Sequence, residues 1–183
     1  MIILLLAIVA AAGAWAVVAF NRLVRLRNQV RAAWADIDVQ LARRHDLVPP
    51  LVAAVRAYAG HERATLEAVT ELRAQALSLT SPARLGEVES ALEQALSRLF
   101  ALREAYPDLK ANENFAQLQR DLVEVEDHLQ FSRRFYNGSV RDYNTAIERV
   151  PDLVIARAGG FTSAEFFQAR DEERVGVRVD LSP

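Results

Sequence analysis

Residues 2–20 read IILLLAIVAAAGAWAVVAF and residues 21–31 read NRLVRLRNQVR. The first segment is an uncharged run with no proline and one glycine, Gly13. As an α-helix at about 1.5 Å per residue it would extend roughly 28 Å, close to the hydrocarbon thickness of a bilayer. A core helix of a soluble domain carries a polar stripe, and this run has none. It is therefore expected to cross a membrane. A cleaved signal sequence would place positive charge before a shorter apolar core, whereas here only Met1 precedes the run. The charge follows it instead, as Arg22, Arg25, Arg27 and Arg31, with Asp36 the first acid. This basic collar predicts a single-pass protein of the inner cell membrane with its N-terminus outside and its body in the cytoplasm. Anionic headgroups are the natural partners of the collar. Ala10 with Ala14, and Ala12 with Ala16, give the small-residue spacing that would let two such helices approach closely.

Outward from this segment the chain changes character. Of 22 basic residues in the 183-residue chain, removal of the four collar arginines leaves 18 against 24 acidic ones, a net charge of −6 for the remainder. This net acidic balance speaks against a general nucleic-acid binder, which needs a net basic face. The absence of cysteine excludes disulfides, thiol catalysis and cysteine-ligated metals.

Helical periodicity continues directly out of the apolar run through Leu23, Leu26, Val30, Trp34, Ile37, Leu41 and Val48. Asp46-Leu47-Val48-Pro49-Pro50 predicts a turn or sharp kink, because two adjacent prolines lack amide donors. Further apolar spacing, Ser81-Pro82 and Tyr106-Pro107-Asp108 divide the rest. The expected fold is all-α: a transmembrane helix at 1–21 continuing into an antiparallel four-helix bundle at 22–150, with helices near 22–47, 49–78, 82–105 and 112–149. The last carries the clearest seam, from Phe115 through Leu122, Leu129, Tyr136 and Tyr143 to Ala146. Gly138 interrupts it at a cost of about 1 kcal/mol relative to alanine. Beyond Pro151 a loop at Ala158-Gly159-Gly160, a short helix at 163–173 opened by a Thr162/Glu165 capping box, and an extended tail are expected.

Chemistry is sparse. No nucleophile elbow, phosphate loop, dinucleotide fingerprint or zinc-protease motif occurs, so the chain is expected to be non-enzymatic, without a cofactor or a small-molecule substrate. Glu62 falls on the apolar stripe predicted for helix two, which marks it as a buried charge whose partner by turn counting is Arg98. Glu124 and His128 share a helical face beside Asp127, and with Glu62 they define the alternative of a metal-binding or enzymatic bundle at the membrane surface. A solvated acidic face explains that cluster more simply. Arg133, Arg134, Asn137, Arg141 and Asn144 form a polar stripe beside the helix-four seam, a candidate surface for a protein partner or for self-association.

Several longer motifs occur in order: residues 23–28 (LVRLRN), 33–41 (AWADIDVQL), 43–49 (RRHDLVP), 58–62 (YAGHE), 106–115 (YPDLKANENF), 133–137 (RRFYN) and 140–147 (VRDYNTAI). Over nearly its whole length the chain resembles the LemA family of bacterial membrane proteins. The resemblance implies an N-terminal membrane helix with a short external terminus and a cytoplasmic helical bundle, and it brings no settled activity or active site. Pro50 stands where relatives commonly have Asn, Gly138 where a non-glycine is usual, and Gly159-Gly160-Phe161 where Phe-Gly-Phe is common.

Overall fold

A computed structural model describes residues 1–167. The protein is all-α, with no strand among the described residues. Helix α1 runs Ile2–Tyr58, α2 Arg63–Leu77, α3 Pro82–Ala101, α4 Pro107–Lys110, α5 Glu113–Glu148 and α6 Asp152–Ala158, with a 3₁₀ turn at Leu102–Glu104. The chain divides into two compact units. One contains residues 1–39 and 129–166, and the other contains residues 40–128 together with Phe167.

The second unit is a helical bundle whose core comes from the apolar stripes of its helices. Val48, Leu51, Val52 and Val55 of α1 pack with Leu66 and Val69 of α2, Leu92, Leu96 and Leu99 of α3, and Phe115 and Leu122 of α5. Phe100 meets Phe115 edge-on, with ring centroids 6.1 Å apart.

Of the turn or sharp kink expected at Pro49-Pro50, the turn does not occur: no new helix starts at 49, and α1 runs through both prolines. It continues to Tyr58, and the chain turns at residues 59–62 instead. The reason lies in the carbonyl that a proline leaves without a partner. In an α-helix the amide of residue 49 would donate to the carbonyl of His45, and Pro49 has no amide. Arg73 of α2 supplies the missing donor, its Nε lying 2.7 Å from the His45 carbonyl oxygen. A side chain from a neighbouring helix thus satisfies a group whose burial unpaired would cost about 1–3 kcal/mol. Arg73→Met is expected to lower stability by about that amount. In a Pro49→Ala background the new amide can serve the same carbonyl, so the cost of Arg73→Met should shrink. A double-mutant cycle by urea denaturation measures the coupling, and additive losses would refute this account of the helix.

In the first unit α1 and α5 run antiparallel, since Arg22 meets Asp152, Gln29 meets Ser139 at 3.3 Å and Trp34 lies 5.3 Å from the Tyr136 ring. Leu23, Ala33 and Ile37 pack on one side, and Leu129, Val140, Tyr143 and Ala146 on the other. Gly138 is accommodated inside α5, where a Cβ would find only the end of the Arg141 side chain at 4.0 Å. The apolar run is different. Every residue from Met1 to Trp15 is exposed, Ala16 is half-buried and Ala19 is the first to be buried. This run is the one helical segment among the described residues long and apolar enough to cross a membrane.

Candidate functional site

The charged residues that the fold withdraws from water lie in the second unit. Along α1 the apolar stripe Leu41, Val48, Leu51, Val55 is broken by Arg44, and along α3 the stripe Leu85, Leu92, Leu96, Leu99 is broken by Glu89. Helical spacing therefore turns both charges into the core. Arg44 is 2% exposed and Glu89 0%. Arg44 donates through one terminal nitrogen to Glu89 Oε2 at 3.1 Å, and its other terminal nitrogen lies 3.2 Å from Glu126 Oε2 on α5. His45 Nε2 sits 2.6 Å from the second Glu89 oxygen. With Arg73 on the His45 carbonyl, four helices meet at one polar node. Both Glu89 oxygens are partnered, as a buried carboxylate requires. Arg44 and Glu126 also line a small open cavity of about 150 Å³ beside Leu96, Phe100 and Leu122, so the node meets the surface at its Glu126 end while its Glu89 end registers the helices against one another.

Glu62, the buried charge expected from sequence, is not buried. It occupies the N-cap position of α2, half-exposed, and accepts a hydrogen bond from the Tyr106 hydroxyl at 3.1 Å rather than pairing with Arg98. That bond, together with desolvation, raises the Tyr106 phenol above its ordinary range. Nearby, Asn112 donates to the Tyr58 hydroxyl at 3.1 Å, and its own carbonyl oxygen accepts from the Phe115 amide at the start of α5.

Glu124 and His128 lie on the exposed surface of α5 with 3.8 Å between carboxylate and imidazole, and Glu124 accepts from Arg43 at 3.3 Å. Among the described residues no three His, Asp or Glu side chains are grouped to hold a metal ion.

The first unit distributes the basic collar between two tasks. Arg22 pairs with the buried Asp152 carboxylate of α6 at 3.2 Å. Arg27 stacks on the Phe161 ring, its guanidinium carbon 4.9 Å from the centroid, while Phe20 meets the same ring at 5.5 Å. Arg25 and Arg31 remain exposed. The fold-back of Phe161 depends on Gly159-Gly160. Gly160 has φ 67°, and a Cβ on Gly159 would lie 2.7 Å from the Phe161 ring.

After Phe161 the chain follows α5 as a strap without helix through Phe167, so the described part of the short helix expected at 163–173 is absent; residues 168–173 lie outside the described part. Its backbone is held by α5 side chains. The Tyr143 hydroxyl donates to the Thr162 carbonyl at 2.9 Å and the Tyr136 hydroxyl to the Glu165 carbonyl at 2.8 Å. Asn144 both donates to and accepts from the backbone of Ala164, at 3.0 and 2.9 Å. The polar stripe foreseen as a partner surface therefore divides. Asn144 is committed to the strap, Arg133 and Asn137 are half-buried, and Arg134 and Arg141 face solvent.

Burial raises the Tyr136 and Tyr143 phenols above their ordinary value of 10.0. Their neutral forms are the ones the fold favours, so this contribution is complete below pH 10 and is lost as pH rises through the folded values. Alkaline titration followed by phenolate absorbance and circular dichroism should show two late-ionising tyrosines and unfolding above pH 10. Tyr136→Phe with Tyr143→Phe should reduce that alkaline sensitivity while costing the two hydrogen bonds at neutral pH.

Residues 33–181 match the LemA family. The chain belongs to the LemA family. It is 26% identical over 180 residues to magnetosome protein MamQ 2 of Paramagnetospirillum magneticum, covering 82% of this chain and 65% of that protein. Against protein LemA of Metamycoplasma hominis it is 27% identical over 161 residues, covering 86% of this chain and 72% of the relative. MamQ of Magnetospirillum gryphiswaldense is 23% identical with the same coverage as MamQ 2. The LemA-family chain thus spans just under two thirds of the length of the MamQ proteins. Arg44, Glu89, Glu126 and the strap all lie within the family match, whereas the apolar run and Arg22, Arg25, Arg27 and Arg31 precede it. The membrane reading therefore rests on the physical character of this chain's own N-terminal segment.

Proposed function

We propose that this LemA-family protein is a non-enzymatic, membrane-anchored helical interaction protein, inserted once in the cell membrane with its N-terminus outside and its body in the cytoplasm. One observation carries the anchor: the apolar side chains of residues 2–15 are exposed all around the helix, and hydrocarbon is the medium that covers such a surface without polar compensation. Continuity of this segment with a helix buried from Ala19 onward supports a retained anchor over a removable leader. The arginine flank supports the orientation. The burial of His45 and Glu89 supports a non-catalytic role, because a catalytic group has to reach substrate.

The cysteine-free chain makes topology directly testable. Ala74 is exposed on α2, and Ala74→Cys should resist a membrane-impermeant maleimide in intact cells and react after lysis. Labelling in intact cells would reverse the orientation. For the interaction role, a photocrosslinking residue at Arg134 or Arg141 should capture a discrete protein adduct in membranes, either a second copy or another protein. No adduct from either position would remove Arg134 and Arg141 as the partner surface.

A further inference from the structure

α6 and the turn before it expose aliphatic surface that the bundle does not use. Val150 is 76% and Val154 65% exposed, and Leu153 and Ile155 are half-buried between them. A seven-residue helix has little stability of its own, so its position is set by its contacts. Asp152 is held by Arg22 at 3.2 Å and by Arg149 at 3.6 Å, and Phe161, just beyond the helix, is seated against Phe20 and Arg27. Those contacts fix its depth. Arg22 follows the last residue of the apolar run by two positions, about 3 Å along the helix. The exposed valines are therefore placed at the level where the apolar run ends and the basic collar begins.

We infer that α6 is an interfacial element that rests on the cytoplasmic headgroup layer, with Val150 and Val154 entering the boundary between headgroups and acyl chains. This rests on the anchored reading proposed above and extends it to a second, non-spanning contact. Two observations select a lipid surface as the occupant. The patch is continuous in depth with the segment that hydrocarbon covers. The same stretch, 148–158, also carries the exposed cations Arg149 and Arg157 against the single exposed acid Glu148. Aliphatic tips with arginine beside them are the combination that binds anionic interfaces. Held at two points of the same level, the span and α6, the first unit would be fixed in its angle to the bilayer rather than swinging from one helix.

The test uses the full chain in vesicles of phosphatidylethanolamine and phosphatidylglycerol, with single cysteines carrying an environment-sensitive fluorophore at Val154, at Ala10 within the span, and at exposed Ala35 as the aqueous reference. The Val154 probe should emit to the blue of the Ala35 probe and lose most of its emission to a lipid carrying a shallow doxyl quencher. Arg157→Glu should reduce that quenching several-fold, with unchanged far-ultraviolet circular dichroism. If the Val154 probe behaves as the Ala35 probe while Ala10 is quenched, the anchor stands and the α6 contact falls. A Val154 probe that is blue-shifted yet untouched by the lipid quencher would mean a protein cover and would also overturn the inference. An unquenched Ala10 probe would remove the anchor itself, and the α6 contact with it.

Discussion

Glu89→Ala is expected to destabilise the detergent-solubilised chain by about 3–5 kcal/mol, the characteristic loss when one partner of a buried ion pair is removed. The size follows from what remains. Arg44, 2% exposed, would keep only its contact with Glu126, and the buried His45 Nε2 would lose a partner at 2.6 Å. The same substitution on the exposed surface of a helix stays within about 0.5 kcal/mol. Removing both charges is a different experiment. Arg44→Met with Glu89→Leu removes the Arg44–Glu89 pair whole, a replacement that is often neutral or stabilising by about 1–4 kcal/mol, although His45 Nε2 and the Glu126 carboxylate each still lose a partner. The double variant should therefore recover part of the loss in urea midpoint. If it does so but shows broadened amide resonances, the node sets the register of α1, α2, α3 and α5 rather than the depth of the energy well. A Glu89→Ala loss below about 1 kcal/mol would mean that water reaches the node.

The two glutamates show how much of this architecture is legible in the sequence. Glu62 attracts attention only if helix two begins at Pro49, because that start places it on a stripe with Leu66 and Val69. Once α1 continues to Tyr58, Glu62 becomes the residue that opens α2 and the phase argument dissolves. Glu89 carried the genuine signal, lying four residues after Leu85 and three before Leu92, but Val88 beside it offers an equally regular apolar series. Periodicity establishes that the long helices exist. It does not decide between adjacent phases one residue apart, because that choice is made by partners on other helices.

The remaining differences have the same origin. Pro49-Pro50 is a strong local break signal, overridden by Arg73 from a segment about two dozen residues away. The Thr162/Glu165 box is a sound local cap, yet the carbonyls of Thr162 and Glu165 are taken by Tyr143 and Tyr136, so the helix it would open does not form in the described residues. α6 was hidden by punctuation on both sides, Pro151 before it and Gly159-Gly160 after it. In the first two cases a long-range hydrogen bond competes with a local preference and wins.

The second large effect concerns the apolar run, whose hydrophobicity is its only visible means of holding the chain at a membrane. An arginine near the centre of a spanning helix costs about 2.5–3.5 kcal/mol on the scale of cellular insertion. Val9→Arg with Ala12→Arg places two on adjacent faces, close enough to the midpoint that neither can reach water without thinning the bilayer, for a combined cost of roughly 5–7 kcal/mol. That exceeds what a few leucines or isoleucines at about 0.3–0.6 kcal/mol each return. The double variant should leave the carbonate-resistant membrane fraction almost completely, whereas Val9→Leu with Ala12→Leu should remain in it. The folded body supplies an internal control. Residues 1–15 make no buried contact in either unit, so the urea midpoint of the body should be the same in both variants. Loss of membrane retention with an unchanged midpoint separates anchoring from folding. Retention of the double-arginine chain would instead transfer the burden of attachment to the collar and α6, which a further Val150→Asp, Val154→Asp substitution in the same background would then release.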